Sequence, residues 1–517
     1  MNPSRPSPSS APAVLLRADA SPAMGTGHVM RCLALGAALA GQGATVTLLG
    51  RGLGDWIAPR LAACGVEARP AATRGDLRQA IVRAGRRHGR VGVVLDGYQF
   101  QLADHQDILE AGARLLVLDD FRHLPAYACH LLLNQNVSAA EMGYDIPGAR
   151  LLLGPRFALL RPEFLAWSGH VRRIPGRAAS ILVTMGGSDP ANATLGALQA
   201  LAARRRDWPR LRVLLGGQYP HREALDAFLD RAGLAVEVLR NVADMPALLA
   251  GTDVALGAAG TTTLEMAFLG VPLVTLTLAD NQVLVAAALD ASGAARSAGW
   301  ADAAGFARAV DMVESLVADA AGREAMSRAG RVLVDGLGAA RAAAHVLAWD
   351  DGPPVYLRDA RLGDSALLLE WANHPGVRAA SFTSRPIAPG EHERWYASRL
   401  ASPDCLIFIV EAVSGAGDAP AGVVRFERDG PDCVISVALA PAFQGRGLGP
   451  RVIAQGCRMA ARRRFAATVD AFIKLDNPAS RKAFSKAGFT LMEETAHRGI
   501  PCLRMRWSPQ SPENPGP

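Results

Sequence analysis

Short apolar runs alternate with longer stretches of helical periodicity along most of the chain. Ala13–Leu16 reads as a strand, followed by a loop and a helix from about Gly27 to Ala40. Ala44–Leu49, Val91–Leu95 and Arg114–Leu118 read as further strands with helical stretches between them. A second series begins at Ser180–Met185 and continues through Leu211–Leu215, Val236–Leu239, Val254–Leu256 and Val271–Leu276. Apolar runs joined by helices of this length predict parallel sheets, hence an α/β fold of two Rossmann-like lobes. Ligands of such lobes lie outside the carboxyl ends of the strands. Beyond residue 355 the pattern changes. Helices come first, then strands at Leu406–Glu411, Gly422–Glu427 and Cys433–Leu439, a glycine-rich loop, a helix, a strand at Val469–Ile473 and another helix. This order predicts a mixed α+β domain.

Two breaks divide these series. Ser168–Ala178 carries Gly, Pro and Arg with little apolar content, and Trp349–Pro354 holds Gly and adjacent Pro. The expected units are 13–167, 179–350 and 355–507. Residues 1–12 and 508–517 are Pro-rich polar tails, too poor in apolar side chains to order themselves.

Composition narrows the class. Half of the 517 residues are hydrophobic, which allows large cores. The net charge of +7 is spread along the chain, without a Lys/Arg block interleaved with aromatics, so no nucleic-acid partner is expected. A mild positive balance suits anionic small ligands such as nucleotides and coenzyme A. The seven Cys lack a CxxC pair, which predicts reduced thiols in a cytoplasmic protein. No cluster has metal-ligand spacing, so no metal is expected. The first residues lack the apolar core of a signal peptide, and no apolar run is long enough to span a membrane.

The glycine-rich loop is the clearest site near the C-terminus. The strand ending at Leu439 runs into Gln444-Gly445-Arg446-Gly447-Leu448-Gly449 and then a helix. A strand, a glycine turn and a helix start gather backbone N–H groups around one concavity, which suits a pyrophosphate. Farther on stands Asn477-Pro478-Ala479-Ser480, followed by Phe484, Lys486, Gly488 and Phe489. Together the two segments resemble the GNAT family of N-acetyltransferases, through Gln444, Gly447 and Gly449 and through Asn477, Ser480 and Phe484. The resemblance implies acetyl-CoA as co-substrate, held by Leu439, Gln444, Gly445, Arg446, Gly447, Gly449, Asn477, Ser480 and Phe484, and direct attack by an amine. Phe484 replaces a frequent Tyr of the family and cannot protonate the leaving thiolate. Glu427, at a strand end, is a candidate base, as are Glu391, His392 and Glu393. The opening Trp371-Ala372-Asn373-His374-Pro375 with Arg378 resembles family members that acetylate nucleotide-linked amino sugars, and Asn373 and Arg378 are candidates to face an anionic acceptor.

In the first lobe, Arg17-Ala18-Asp19 leads to Gly25-Thr26-Gly27-His28 and Arg31. The glycines permit a tight strand-to-helix turn. His28 then falls in the first helical turn, where the helix N-terminus lowers its proton affinity and suits it to act as a neutral general base. In the second series, Gly186-Gly187-Ser188-Asp189 and Gly260-Thr261-Thr262-Thr263 each open a helix and offer donors to a diphosphate. Glu265 can accept from ribose hydroxyls, or can cap its helix. Asn281 and Gln282 offer amides to phosphate or sugar. This set resembles the two-lobed GT-B nucleotide-sugar enzymes, and more closely the UDP-sugar hydrolases of pseudaminic acid biosynthesis. The resemblance implies catalysis by His28 and a sugar side lined by Asp19, Gly27, Arg31 and Tyr98. It implies UDP held by Gly187, Ser188, Thr261, Glu265, Asn281 and Gln282. The expected partners are a UDP-linked amino sugar, acetyl-CoA, water and other enzymes of the same sugar pathway. The implied reactions are acetylation of a UDP-4-amino sugar and inverting hydrolysis of the product to UDP and a free sugar. A GT-B glycosyltransferase fused to an acetyltransferase, or a UDP-sugar-binding module beside an active acetyltransferase, stay open alternatives.

Overall fold

The computed structural model describes residues 11–21, 25–71, 73–205, 207–349, 352–415, 417–429 and 432–508. The expected tails therefore lie almost wholly outside the described residues. Among these residues three sheets form. The first holds seven parallel strands: β1 (Ala13–Ala18), β2 (Thr45–Gly50), β3 (Glu67–Pro70), β4 (Val91–Asp96), β5 (Arg114–Leu118), β6 (Leu131–Asn134) and β7 (Arg150–Leu153). Their order is β3-β2-β1-β4-β5-β6-β7. The second holds β8 (Ser180–Thr184), β9 (Arg210–Leu215), β10 (Val236–Arg240), β11 (Val254–Ala258), β12 (Leu273–Thr277) and β13 (Arg296–Trp300), in the order β10-β9-β8-β11-β12-β13, also parallel. Both are Rossmann-like, and both reverse direction of winding between their first strand and its other neighbour: at β1/β4 and at β8/β11. That reversal leaves a crevice at the carboxyl ends of these strands.

The third sheet is mixed. Its strands are β14 (Val355–Asp359), β15 (Cys405–Ser414), β16 (Gly417–Asp429), β17 (Asp432–Leu439), β18 (Val469–Lys474), β19 (Thr490–His497) and β20 (Ile500–Trp507), in the order β14-β15-β16-β17-β18-β20-β19. The pairs are antiparallel except β17 and β18, which run parallel and meet in register at Val434 and Asp470. Beyond that pair the two strands part toward Leu439 and Lys474. The sheet thus splits where the glycine-rich loop begins.

The cores follow the pattern of apolar runs. β1 and β4 are buried along their length, as strands covered on both faces must be. Periodicity misses β3, β6, β7, β13, β14, β19 and β20. β3 is exposed throughout, and β19 is exposed along most of its length. One boundary differs from expectation. The helix Gly338–Val346 follows the second series in sequence, yet Ala339, Ala342, Ala343 and Val346 pack in the core of the first sheet. Periodicity locates an apolar helix face but not the sheet that covers it.

The mixed sheet is docked on the first lobe by polar contacts that are buried or partly buried. Gln42 donates to the Leu357 carbonyl and accepts from the Leu357 N–H, both at 3.1 Å, and also pairs with Gln455. Asp418 on β16 accepts from Arg341 at 2.6 Å, from Tyr356 at 2.9 Å and from Arg156 at 3.1 Å. Removing one member of a buried charge cluster leaves the others without a counterion. Asp418→Ala is expected to lower stability by about 3 kcal/mol. The measurement is a denaturant midpoint at unchanged slope, and a loss below about 1 kcal/mol would show that Asp335 alone satisfies Arg341.

Candidate functional sites

The first site stands at the β1/β4 crevice. The chain leaves β1, turns through Gly25 at φ +78°, and enters the helix Gly27–Gly41. His28 is therefore delivered to the carboxyl end of β4, where Asp96 is fully buried. The two meet at 2.7 Å between His28 Nδ1 and Asp96 Oδ1. Three residues farther along the helix, Arg31 grips the same carboxylate with Nε and a terminal nitrogen, both at 2.6 Å. Its other terminal nitrogen reaches Asp120 at 2.7 and 2.8 Å, at the end of β5. Asp120 also accepts from the Tyr98 hydroxyl at 2.5 Å, and the Tyr98 ring meets the His28 ring edge-on at 4.8 Å. A continuous chain His28–Asp96–Arg31–Asp120–Tyr98 results.

Its electrostatics define roles. Burial pushes the Asp96 carboxyl up, but the Arg31 charge and the hydrogen bonds from Arg31 and His28 outweigh this and hold it below the usual range. Asp96 is thus an anion and can only accept, so the proton on His28 Nδ1 points to it. In the neutral ring the lone pair is then on Nε2, which among the described residues has no hydrogen-bond partner. Burial lifts the Tyr98 hydroxyl far above its ordinary value, and Asp120 adds to that, so Tyr98 is a donor and not a base. Asp19 has a different place from the one expected of a residue lining the sugar side. It is buried, pairs with Arg17, accepts from Arg51 N at 2.7 Å and from Gln99 at 3.1 Å, and so holds the end of β1. Gly27 is exposed at the helix start. Sequence reasoning named Tyr98, His28 and Arg31 but gave no role to Asp96 or Asp120. The available signal was an acidic residue at the carboxyl end of each of two adjacent strands.

The second crevice lies at β8/β11. Gly186 has φ +91°, and Gly187 and Ser188 are exposed in the turn. Asp189 caps the helix Ala193–Arg204, accepting from Ala193 N and Thr194 N at 2.8 Å each. The donors left for a ligand are therefore those of the turn and not the first helical N–H groups. Thr261 is exposed beside it, at the start of the helix Thr262–Leu269. Glu265 is not a free acceptor: both its oxygens are held by Arg161, at 2.7 and 3.0 Å. Burial raises the Glu265 carboxyl while Arg161 opposes this. The 3₁₀ turn Asp280–Gln282 leaves Asn281 exposed, and Gln282 accepts from Leu278 N at 3.0 Å.

The third site is the split of the mixed sheet. Gly445 and Gly447 both have φ +74°, and a Cβ on either would meet no atom within 4 Å. The loop is open on its outer side, as close approach of a pyrophosphate requires. Gly449 packs against Ala483, so the helix Leu448–Arg462 lies on the helix Pro478–Lys486. Gln444 donates to the Leu439 carbonyl at 3.0 Å and Arg446 lies over the Phe443 ring, so both brace the loop. Asn477 caps the second helix through Ser480 N at 3.0 Å.

Phe484 is buried in the core, edge-on to Phe489 at 4.9 Å. Glu427 pairs in register with Val434, at the closed end of the split, and is bound to Arg399 and Arg425. The acceptor contacts expected of Asn373 and Arg378 are also replaced. Asn373 bonds Ile387 N and O, and Arg378 donates to the carbonyls of Ala372, Thr383 and Arg385. A strand-end carboxylate and a helix-end Arg look the same in sequence whether they face a ligand or tie a loop.

Among the described residues no group of three or more His, Cys, Asp and Glu is placed to hold a metal ion, no helix is long and apolar enough to cross a membrane, and the seven Cys are free thiols.

Residues 355–490 match the acetyltransferase (GNAT) domain family. The chain is similar to an uncharacterized protein of Methanocaldococcus jannaschii, 31% identical over 127 residues, which are 24% of this chain and 26% of that protein. It is also similar to the spore coat polysaccharide biosynthesis protein SpsG of Bacillus subtilis, 26% identical over 197 residues, 38% of this chain and 57% of that protein. The chain thus spans about a quarter of one of these curated relatives and a little over half of the other. Solved structures similar to 30% of the chain include spermidine N-acetyltransferase from Vibrio cholerae in complex with CoA and spermine (17% identity, 95% of that chain, TM-score 0.27). Another is the aminoglycoside acetyltransferase AAC(6')-Ib in complex with coenzyme A (19% identity, 95% of that chain, TM-score 0.27). The molecule is therefore a two-part α/β protein: two Rossmann-like sheets, followed by an acetyltransferase domain of the GNAT type.

Proposed function

We propose that the chain carries out two consecutive steps on one UDP-linked amino sugar. The C-terminal domain transfers an acetyl group from acetyl-CoA to the 4-amine of UDP-4-amino-4,6-dideoxy-N-acetyl-β-L-altrosamine. The two Rossmann-like lobes, in a GT-B arrangement, then hydrolyse the product to UDP and 2,4-diacetamido-2,4,6-trideoxy-L-altrose, as in pseudaminic acid biosynthesis. The observation that carries the hydrolase is the His28–Asp96 pair, with Nε2 left free at the crevice.

In the first reaction the amine attacks the thioester carbonyl, the C–S bond breaks, the amine loses a proton and the coenzyme thiolate gains one. In the second, His28 Nε2 takes a proton from water as its oxygen bonds the anomeric carbon and the bond to the diphosphate oxygen breaks. Asp96 stabilises the imidazolium that forms. Charge supports the division of labour. Asp96 and Asp120 share the single cation of Arg31, so this crevice disfavours phosphate, whereas the Gly187–Ser188 turn presents neutral donors suited to a departing diphosphate.

The test is incubation with the UDP-amino sugar, with and without acetyl-CoA, following UDP release. His28→Ala is expected to slow that release by about 10³-fold while thiol release from acetyl-CoA continues. UDP release by His28→Ala at the wild-type rate removes the base. Release independent of acetyl-CoA overturns the order of steps.

A further inference from the structure

The split sheet has two unlike faces. One is packed by the helices Leu448–Arg462 and Pro478–Lys486 around Val424, Phe426 and Ile435. Alternation along the strands sends the intervening residues to the other face, where the helix Pro389–Ala401 lies. Arg425 and Ser436 are register partners there, two residues toward the opening from the Glu427/Val434 pair. The Arg425 guanidinium lies 4.9 Å from the centre of the Trp395 ring, which belongs to the covering helix. It reaches Ser436 Oγ at 3.4 Å and Glu427 at 3.3 Å. Arg399, from the same helix, approaches Glu427 at 3.2 Å. Arg498, in the turn between β19 and β20, bears on Arg425 through its charge, as does Arg399.

Two arginines thus share one carboxylate, and the charge of a third, Arg498, bears on Arg425. The Arg425 Nε is buried and makes no hydrogen bond. Burial first, and then the neighbouring guanidinium charges of Arg399 and Arg498, disfavour the Arg425 cation, with Glu427 and the Cys405 thiol acting the other way. An arginine does not escape such a penalty by losing its proton. A buried, unsatisfied guanidinium N–H beside an aromatic face is matched by an oxyanion carried on a stacking group.

The geometry points to Arg425, with Arg399, Arg498 and the Trp395 ring, as a subsite that receives the phosphate-bearing part of the amine acceptor, on the face of the sheet opposite the core helices. The assignment rests on the acetyltransferase reading above and names its acceptor class: an amine linked to a nucleoside diphosphate, not a polycationic amine.

The experiment uses the full chain, acetyl-CoA and two acceptors, a UDP-linked 4-amino sugar and the same amino sugar as its methyl glycoside, with initial rates of thiol release. The wild type is expected to favour the UDP-linked acceptor. Arg425→Gln is expected to lower the ratio of kcat/KM between the two acceptors by about tenfold or more, mainly through KM, because a charge-assisted hydrogen bond is lost. Arg425→Lys keeps the charge without the planar fork and should retain part of the ratio. Arg498→Gln, in an exposed turn, should shift the ratio the same way without risk to folding. A ratio within about twofold of wild type in both Gln variants overturns the subsite alone. Absence of thiol release by the wild type with both acceptors overturns the acetyltransferase reading and the subsite with it.

Discussion

Asp96→Asn is expected to lower UDP release by about 10³ to 10⁴-fold, the scale seen when a catalytic His loses the carboxylate that fixes its tautomer. The geometry makes this stronger than loss of one charge. Arg31 occupies both oxygens of Asp96 and has only donors to offer. An asparagine brings an NH₂ where one oxygen stood. If that group takes the Oδ1 position, it faces Arg31 and His28 together; Nδ1 becomes an acceptor and the proton moves to Nε2, which then cannot take one from water. If it takes the Oδ2 position, His28 keeps its tautomer but the Arg31 Nε–H faces another N–H, and the buried guanidinium loses its partner. Either outcome removes the arrangement on which the base depends. Acetyl transfer, at a separate site, serves as the internal control for folding. Release of UDP within about tenfold of wild type, with acetyl transfer intact, would show that the carboxylate does not orient the base.

Gly216→Ala is expected to cost about 10²-fold in UDP-sugar hydrolysis, the scale associated with a displacement of about 1 Å in a binding element. A Cβ at Gly216 would stand 2.0 Å from the Gly187 carbonyl oxygen and 2.5 Å from that of Gly186. Those atoms belong to backbone and cannot rotate away, so the whole Gly186–Gly187 turn must shift. That turn offers the neutral donors assigned to the diphosphate. The forced displacement also strains the second lobe, and a loss of about 1–3 kcal/mol should appear as a lowered unfolding midpoint. The measurements are steady-state UDP release and denaturant unfolding of the same variant. Full activity would place the diphosphate elsewhere. Lost stability with unchanged KM for the UDP-sugar would confine Gly216 to packing.

The two predictions fall on different kinds of residue, and so does the legibility of the sequence. Apolar runs located β1, β4, β5 and the strands of the second series, because a buried parallel strand leaves a continuous hydrophobic trace. Glycines at the ends of such runs located the loops, since a turn there needs φ above zero, as at Gly25, Gly186 and Gly447. Polar side chains were harder to place. His28 and Arg31 were visible because they sit on the helix that follows a glycine turn. Asp96 and Asp120 lie 65 and 89 residues from Arg31 in sequence, and only the sheet order brings them to it. Glu427, Arg378 and Glu265 carry charges that suited a ligand, but the fold supplies each with a partner of its own.

The sequence by itself determined the three-sheet plan, the glycine loops and the resemblance of the C-terminal part to acetyltransferases. These are local properties: the period of apolar residues and the few positions where only glycine fits. Tertiary structure alone decided that His28 faces a buried carboxylate, that the helix Gly338–Val346 returns to the first sheet, and that Arg425 is left with an unmet N–H beside Trp395. The physical reason is the same in each case. A charged or polar group has no fixed role until the chain closes around it and settles whether water, another residue or a ligand will satisfy it.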